Sequence, residues 1–327
     1  MKPRKIFVTG AGGFIGRELC DHLVAKGHTV TGLDISYPDD SAGPRPNMHV
    51  GDYRDIPMVK DLVAGHDAVI HLASAHLDVS LSEQDYRDIN VGGLRGLLSL
   101  CSDAGVRRFC HVSSVSVYGN LATWPATEST ECHPQSIYGE TKLAGETVVQ
   151  SHPSESEMTT VILRPAWVYG ATCPRTRRLI RAIRKGTFVI FGRGQNVRHP
   201  IYIKDMLHAF DLVLEDGAVH GEVLITGGPE IVTTRQLVDT VCDVFELRRR
   251  PVRLPMWMGS LAARVIEAGS TAVGARPPVS HRTLEFFNTN NGFDISKART
   301  RAGFEPQFTL REGLSEIRSA LEQQHDS

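Results

Sequence analysis

The chain of 327 residues, at roughly 150 per domain, has room for two domains or for one large α/β domain with appended elements. Its 41% hydrophobic and 22% charged residues sit in the ordinary globular range, which sets aside collagen-like, coiled-coil and disordered chains. With 36 Lys and Arg against 37 Asp and Glu the formal net charge is -1, so no global basic field favours nucleic acid or an anionic membrane surface.

The opening MKPRKIFVTGAGG reaches glycines after four apolar-leaning residues, too few for the apolar core of a signal peptide. Residues 5–9 read as a first strand and 18–26 as a helix with Leu19, Leu23 and Val24 on one side. Further strands are predicted at 29–33, 48–50, 68–72, 108–113 and 160–163, with helices near 56–64, 84–103 and 136–150 between them. The alternation is that of a doubly wound parallel sheet, because each βαβ crossover needs a helix to return the chain. After Arg164, prolines at 165, 174, 200, 229, 251, 255, 277 and 278 punctuate shorter elements. A smaller, discontinuous C-terminal substrate-binding lobe is expected there. The predicted division gives 1–170 and 196–226 to a dinucleotide-binding domain, and 171–195 with 227–327 to the lobe.

IFVTGAGGFIG puts Gly10, Gly13 and Gly16 directly after an apolar strand and before a helix, the context of a dinucleotide turn. Glycines are needed there because the turn is tight and the backbone must approach a pyrophosphate held on the helix N-terminus. Asp34 ends the second strand, where a carboxylate can accept from the adenosine ribose hydroxyls and repel a 2′-phosphate; no arginine follows. This argues for NAD, with a capping or solvated Asp34 as the plain alternative. Tyr138 and Lys142 stand four apart, on one face of a helix, so that an ammonium lies near a phenol. A phenol titrates near ~10, and base catalysis at neutrality asks for a fall of about three units, which a nearby cation can supply. Ser114, at a strand end upstream, offers a hydroxyl to a substrate carbonyl oxygen.

TGAGGFIG, Asp34, HLAS at 71–74, VSSVSVYG, YGETK and LRPAWVYG, in this order, resemble an extended short-chain dehydrogenase/reductase of the NAD-dependent epimerase/dehydratase family. The resemblance implies a Rossmann-type fold binding NAD, with Ser114, Tyr138 and Lys142 as the catalytic set and Ser113 beside it toward substrate. It further implies cofactor contacts from Phe14, Ile15, Asp52, Tyr53, Leu72, Ala73, Ser74, Asn90, Pro165 and Val168. A homodimer through the helices near 84–103 and 136–150 is implied as well.

Departures narrow the chemistry. Dehydratases of this kind carry an acidic pair just after the catalytic hydroxyl, where this chain has Val115 and Ser116. Trp167 replaces the Asn that nucleotide-sugar enzymes place near the diphosphate, whereas Arg198 matches a family arginine able to bind one. Arg175, Arg177, Arg178, Arg181 and Arg184 border the expected cleft or form a solvated helix face. The C-terminal segment resembles the hydroxysteroid-dehydrogenase-like branch, and Phe188, Phe191, Trp167 and Trp257 are candidates to line an apolar pocket. The leading expectation is hydride transfer between a secondary alcohol or ketone and NAD; alternatives are a nucleotide-sugar 4-epimerase and a non-catalytic NAD sensor. Six cysteines without a CxxC pair or a Cys/His cluster predict no metal site and reduced thiols. Together these point to a cytoplasmic protein with a small-molecule substrate and neither nucleic-acid nor membrane partners.

Overall fold

The computed structural model describes residues 2–38, 47–76, 78, 80–153, 157–215, 219–248, 250–261 and 286–323. Strand β1 (Lys5–Thr9) leads through the glycine turn into α1 (Phe14–Ala25), and β2 (Thr29–Asp34) returns beside it. β3 (Met48–Val50), α2 (Ile56–Val63) and β4 (Ala68–His71) follow. Helix α3 (Glu83–Arg87) runs through a π turn (Asp88–Gly93) into α4 (Leu94–Asp103) and then β5 (Arg108–Val112). A 3-10 turn (Val115–Tyr118) precedes α5 (Ile137–Gln150) and β6 (Thr159–Pro165).

Seven parallel strands form the main sheet in the order β11-β6-β5-β4-β1-β2-β3, where β11 is Glu222–Thr226. The fold is therefore the Rossmann-type doubly wound sheet, and its order reverses between β1 and β4, opening a crevice at their carboxyl ends. Apolar runs such as Ile6, Phe7 and Val8, none of them exposed, fit strands buried on both faces. Each such side chain contributes roughly 1.5–3 kcal/mol on burial. On α1, Leu19, Cys20 and Leu23 face the core, while Val24, expected with them, is 56% exposed.

Beyond β6 lie β7 (Trp167–Tyr169), α6 (Pro174–Arg184), β8 (Val189–Phe191), β9 (Val197–Arg198), β10 (Pro200–Tyr202) and α7 (Ile203–Leu214). After β11 come β12 (Val232–Thr233), α8 (Thr234–Val244), β13 (Val252–Leu254), α9 (Ser296–Ala302) and α10 (Leu310–Gln323). Three two-stranded pairs tie these pieces together: β7 with β10, β9 with β12, and β8 with β13. Helix α7 returns to α1, where Asp211 accepts from His22 at 2.9 Å and Lys26 at 2.7 Å. Pro277 and Pro278, with the rest of residues 262–285 of the hydroxysteroid-dehydrogenase-like stretch, lie outside the described residues.

The single helix expected over 84–103 is interrupted by the π turn. One extra residue per turn swings Asn90 inward, and Gly93 leaves the room that Tyr53 fills: a Cβ there would sit 2.8 Å from the Tyr53 hydroxyl. No described helix is long and apolar enough to cross a membrane.

Candidate active site

The glycine turn fits a bound pyrophosphate. Gly10 has φ +75°, and a Cβ there would lie 2.6 Å from the Ala73 nitrogen. Gly16 lets α1 pack on the turn, since a Cβ would strike the Gly10 carbonyl, whereas Gly13 caps α1 with its nearest neighbour at 3.3 Å. That helix starts with no side-chain cap and no acidic residue, so its first N–H groups and positive dipole, at Phe14 and Ile15, are left for an anion. Asp34 accepts from the Gly12 N–H at 2.9 Å and the Ser36 N–H at 3.3 Å, which fixes its carboxylate at the end of β2. Gly12 is as constrained as its neighbours and was not singled out from sequence; a Cβ would lie 2.2 Å from the Ser36 carbonyl.

The loop after β4 closes the other side. Leu72 N–H donates to the Thr9 carbonyl at 3.0 Å, the Ala73 N–H reaches the Thr9 hydroxyl at 3.4 Å, and the Ser74 hydroxyl turns to the Ala75 carbonyl. Asn90 is not open to a cofactor. It is 3% exposed, accepts from Ala75 N–H at 2.7 Å and donates to the Ala75 carbonyl and the Thr141 hydroxyl, so its amide is spent pinning this loop to α5. Tyr53 is likewise buried, its hydroxyl donating to the Ile89 carbonyl and its ring 4.9 Å from His71. Asp52 pairs with Arg54 at 2.6 Å, which holds its carboxyl below the usual range. Pro165 ends β6 and Val168 is half-buried in β7, on the far side of the crevice.

Ser114 follows β5 and caps the 3-10 turn, accepting from Ser116 N–H at 3.1 Å. Helix α5, capped by Ser136, presses its Gly139 against that turn, because any Cβ there would come 2.7 Å from the Ser116 carbonyl. Tyr138 is thereby brought beside Ser114, whose hydroxyl favours the ionised phenol. Lys142 Nζ lies 5.8 Å from the Tyr138 ring centre and donates to the Val112 carbonyl at 2.9 Å. The three expected catalytic groups, Ser114 from the end of β5 and Tyr138 with Lys142 from α5, thus meet at the carboxyl end of β5. Burial pushes the Tyr138 phenol up to about 12, opposed by Ser114 and Arg175, the reverse of the fall expected from the nearby ammonium. Burial also drives the Lys142 ammonium down to about 8 against the pull of Glu146.

Ser113 departs from expectation. Its hydroxyl is 3% exposed and donates to Glu146 at 2.5 Å, because successive residues of a strand end face opposite ways. One neighbour of Tyr138, His76, carries a signal too weak to read in sequence. His76, in the loop after β4, lies 4.3 Å from the Tyr138 ring and contacts Arg175 at the start of α6. Desolvation and Arg175 lower its pKa to about 3, which keeps it neutral.

Trp167 is half-buried in β7, 6.1 Å from Tyr169. Arg198 is 5% exposed: its guanidinium stacks 4.5 Å from the Phe286 ring and donates to the Phe286 carbonyl and the Thr289 hydroxyl. No carboxylate pairs with it among the described residues, and burial lowers it to about 10. It is thus enclosed rather than open to a diphosphate. Phe188 and Phe191 pack on Phe287 at 6.0 and 5.6 Å, whereas Trp257 is 66% exposed. Val115 and Ser116 bring no carboxylate after Ser114. Among the described residues no cluster of three or more His, Cys, Asp or Glu is arranged to hold a metal.

A dinucleotide turn at the sheet's switch point, with a Ser, Tyr and Lys set beyond it, defines an NAD-dependent enzyme of the short-chain dehydrogenase/reductase kind. The chain belongs to the NAD dependent epimerase/dehydratase family, whose model matches residues 6–227. It is 32% identical, over 94% of its length and 96% of the relative's, to the low-salt glycan biosynthesis protein Agl12 of Haloferax volcanii. It is 28% identical to a 3 beta-hydroxysteroid dehydrogenase/Delta 5-->4-isomerase of Mycobacterium tuberculosis, covering 95% and 89% of the two chains. The structure of MoeE5 in complex with UDP-glucose and NAD superposes with a TM-score of 0.76 at 26% identity, covering 98% and 99%.

Proposed function

We propose that the protein transfers hydride between a secondary alcohol and NAD, giving the ketone, with net change in the cofactor. The nicotinamide supplies the hydride acceptor. The Ser114 hydroxyl donates to the substrate oxygen, and Tyr138 takes the carbinol proton as hydride leaves. Lys142 keeps a positive charge near the phenol, favouring its ionised form. The glycine turn and the start of α1 hold the pyrophosphate, and Asp34 accepts from the adenosine ribose. The observation that carries the choice of substrate is Arg198, whose enclosed guanidinium turns no free face to a diphosphate. The 3 beta-hydroxysteroid dehydrogenase relative supports the same direction.

A second reading, a nucleotide-sugar 4-epimerase, is favoured by the missing counter-charge of Arg198 among the described residues, by the glycan biosynthesis relative and by the neighbour in complex with UDP-glucose and NAD. The two differ in what happens to the cofactor. Incubated with NAD and apolar secondary alcohols, a dehydrogenase accumulates NADH in proportion to ketone; an epimerase interconverts UDP-sugars without net NADH. Stoichiometric NADH is expected, and interconversion without it would overturn the reading. The proposal includes a cytoplasmic homodimer joined through the helical run of α3, the π turn and α4 together with α5; sedimentation at the mass of one chain would contradict the dimer.

A further inference from the structure

We propose that Glu146 is a positioning residue of the active site: clamped by Arg164, it anchors Ser113 ahead of the catalytic Ser114 and sets a counter-charge one helical turn beyond Lys142. The inference rests on the reading of Ser114, Tyr138 and Lys142 given above. Glu146 is 1% and Arg164 5% exposed. Arg164 Nε donates to Oε1 at 2.9 Å and Nη2 to Oε2 at 2.6 Å, a bidentate fork that only a planar guanidinium makes. Its remaining Nη1 donates to the Tyr118 hydroxyl at 2.6 Å, and Ser113 donates to the same Oε1 that Nε holds.

Every segment that meets this ion pair ends in the site. Ser113 precedes Ser114, Tyr118 closes the 3-10 turn that Ser114 caps, Arg164 precedes Pro165, and Glu146 follows Lys142 by four residues on α5. For stability alone, a buried ion pair is often matched by well-packed apolar residues, so the bonds from this pair into the site are its informative feature. Lys142 is faced by His71 from β4, by His76 from the loop after it, by His111 and the Val112 carbonyl from β5, and by Tyr138 and Glu146 from its own helix. Arg175, from α6, faces Tyr138 and His76. Burial and the Lys142 charge hold His71 and His111 neutral. Glu146 is thus the anion of this set, and its removal leaves the ammonium among neutral and positive groups.

The test reads Lys142 directly, without substrate, by the pH titration of its side-chain carbon in protein labelled with [ε-13C]lysine, the signal assigned by its loss in Lys142→Arg. Glu146→Gln is expected to lower the midpoint by about one pH unit or more from the wild-type value, as loss of a nearby opposite charge does. Arg164→Met removes a cation and is expected to titrate above Glu146→Gln. A purely structural pair would move both variants alike. A Glu146→Gln midpoint equal to wild type, or one not below that of Arg164→Met, overturns the proposal. If either single variant fails to fold, Glu146→Gln with Arg164→Met removes the pair whole and does not strand the Arg164 cation; a midpoint below wild type supports the proposal and an unchanged one overturns it. Because no turnover is measured, failure here leaves the assignment of Tyr138 standing, and failure of that assignment leaves this titration unchanged.

Discussion

Two arginines in this chain are equally hidden, each 5% exposed, and are accommodated in opposite ways. Arg164 carries a bidentate carboxylate and a tyrosine hydroxyl; burial works against its charge, but Glu146 overrides that and holds it firmly ionised. Arg198 has an aromatic face, a carbonyl and a hydroxyl, with its Nε facing no acceptor among the described residues. The first arginine stiffens the nucleotide-binding half where the chemistry happens. The second joins β9 to the segment at 286–289 and keeps a cation without its anion. The difference teaches that burial alone does not say how an arginine's charge is held; the counter-charge does.

The largest effect expected is on stability. Glu146→Leu, which strands the Arg164 cation, is expected to cost about 3–5 kcal/mol in urea unfolding, whereas Arg198→Leu removes an unpaired charge and stays within about 1 kcal/mol of wild type. Equal losses would erase the distinction. The next effect is a pH dependence. Lys142 titrates lower in the folded than in the unfolded chain, so its charge opposes folding most below pH 8, and that penalty fades as pH rises. Wild type is therefore expected to gain about 2 kcal/mol on Lys142→Met between pH 8 and 10. A constant difference would show that the ammonium is not destabilised by burial.

Smaller effects belong to the nucleotide half. Gly10→Ala forces a side chain into a left-handed position against Ala73, and is expected to weaken NAD binding by roughly tenfold or more while Gly13→Ala is milder. Calorimetric affinities of the two variants that match would contradict the close-approach argument. Asp34→Ala removes repulsion of a 2′-phosphate and is expected to narrow the preference for NAD over NADP by about tenfold. An unchanged ratio would move that preference elsewhere.

The two halves were not equally legible in the sequence. A glycine turn is fixed by local geometry, so Gly10 and Gly16 announce themselves, and Tyr138 with Lys142 needs only the helical repeat. Ser113 and Ser114 look alike until the strand end turns one toward Glu146 and the other toward Tyr138. Asn90 required the π turn, an irregularity that hydrophobic spacing cannot reveal. His76, in the loop after β4, and Arg175, at the start of α6, are 99 residues apart and meet only in the folded chain. Arg198 matched a motif, yet its partners come from 286–289, beyond the reach of any local pattern. Strand β11 was missed because a short apolar run after a loop gives no period of its own.

The central claim is that Tyr138 moves the proton while the glycine turn holds the cofactor. Tyr138→Phe keeps the ring and removes the hydroxyl that Ser114 meets. With NADH formation from a secondary alcohol as the readout and NAD binding by calorimetry beside it, turnover is expected to fall by roughly a thousandfold or more. NAD affinity is expected to stay within about twofold of wild type. Turnover that survives the substitution would contradict the account.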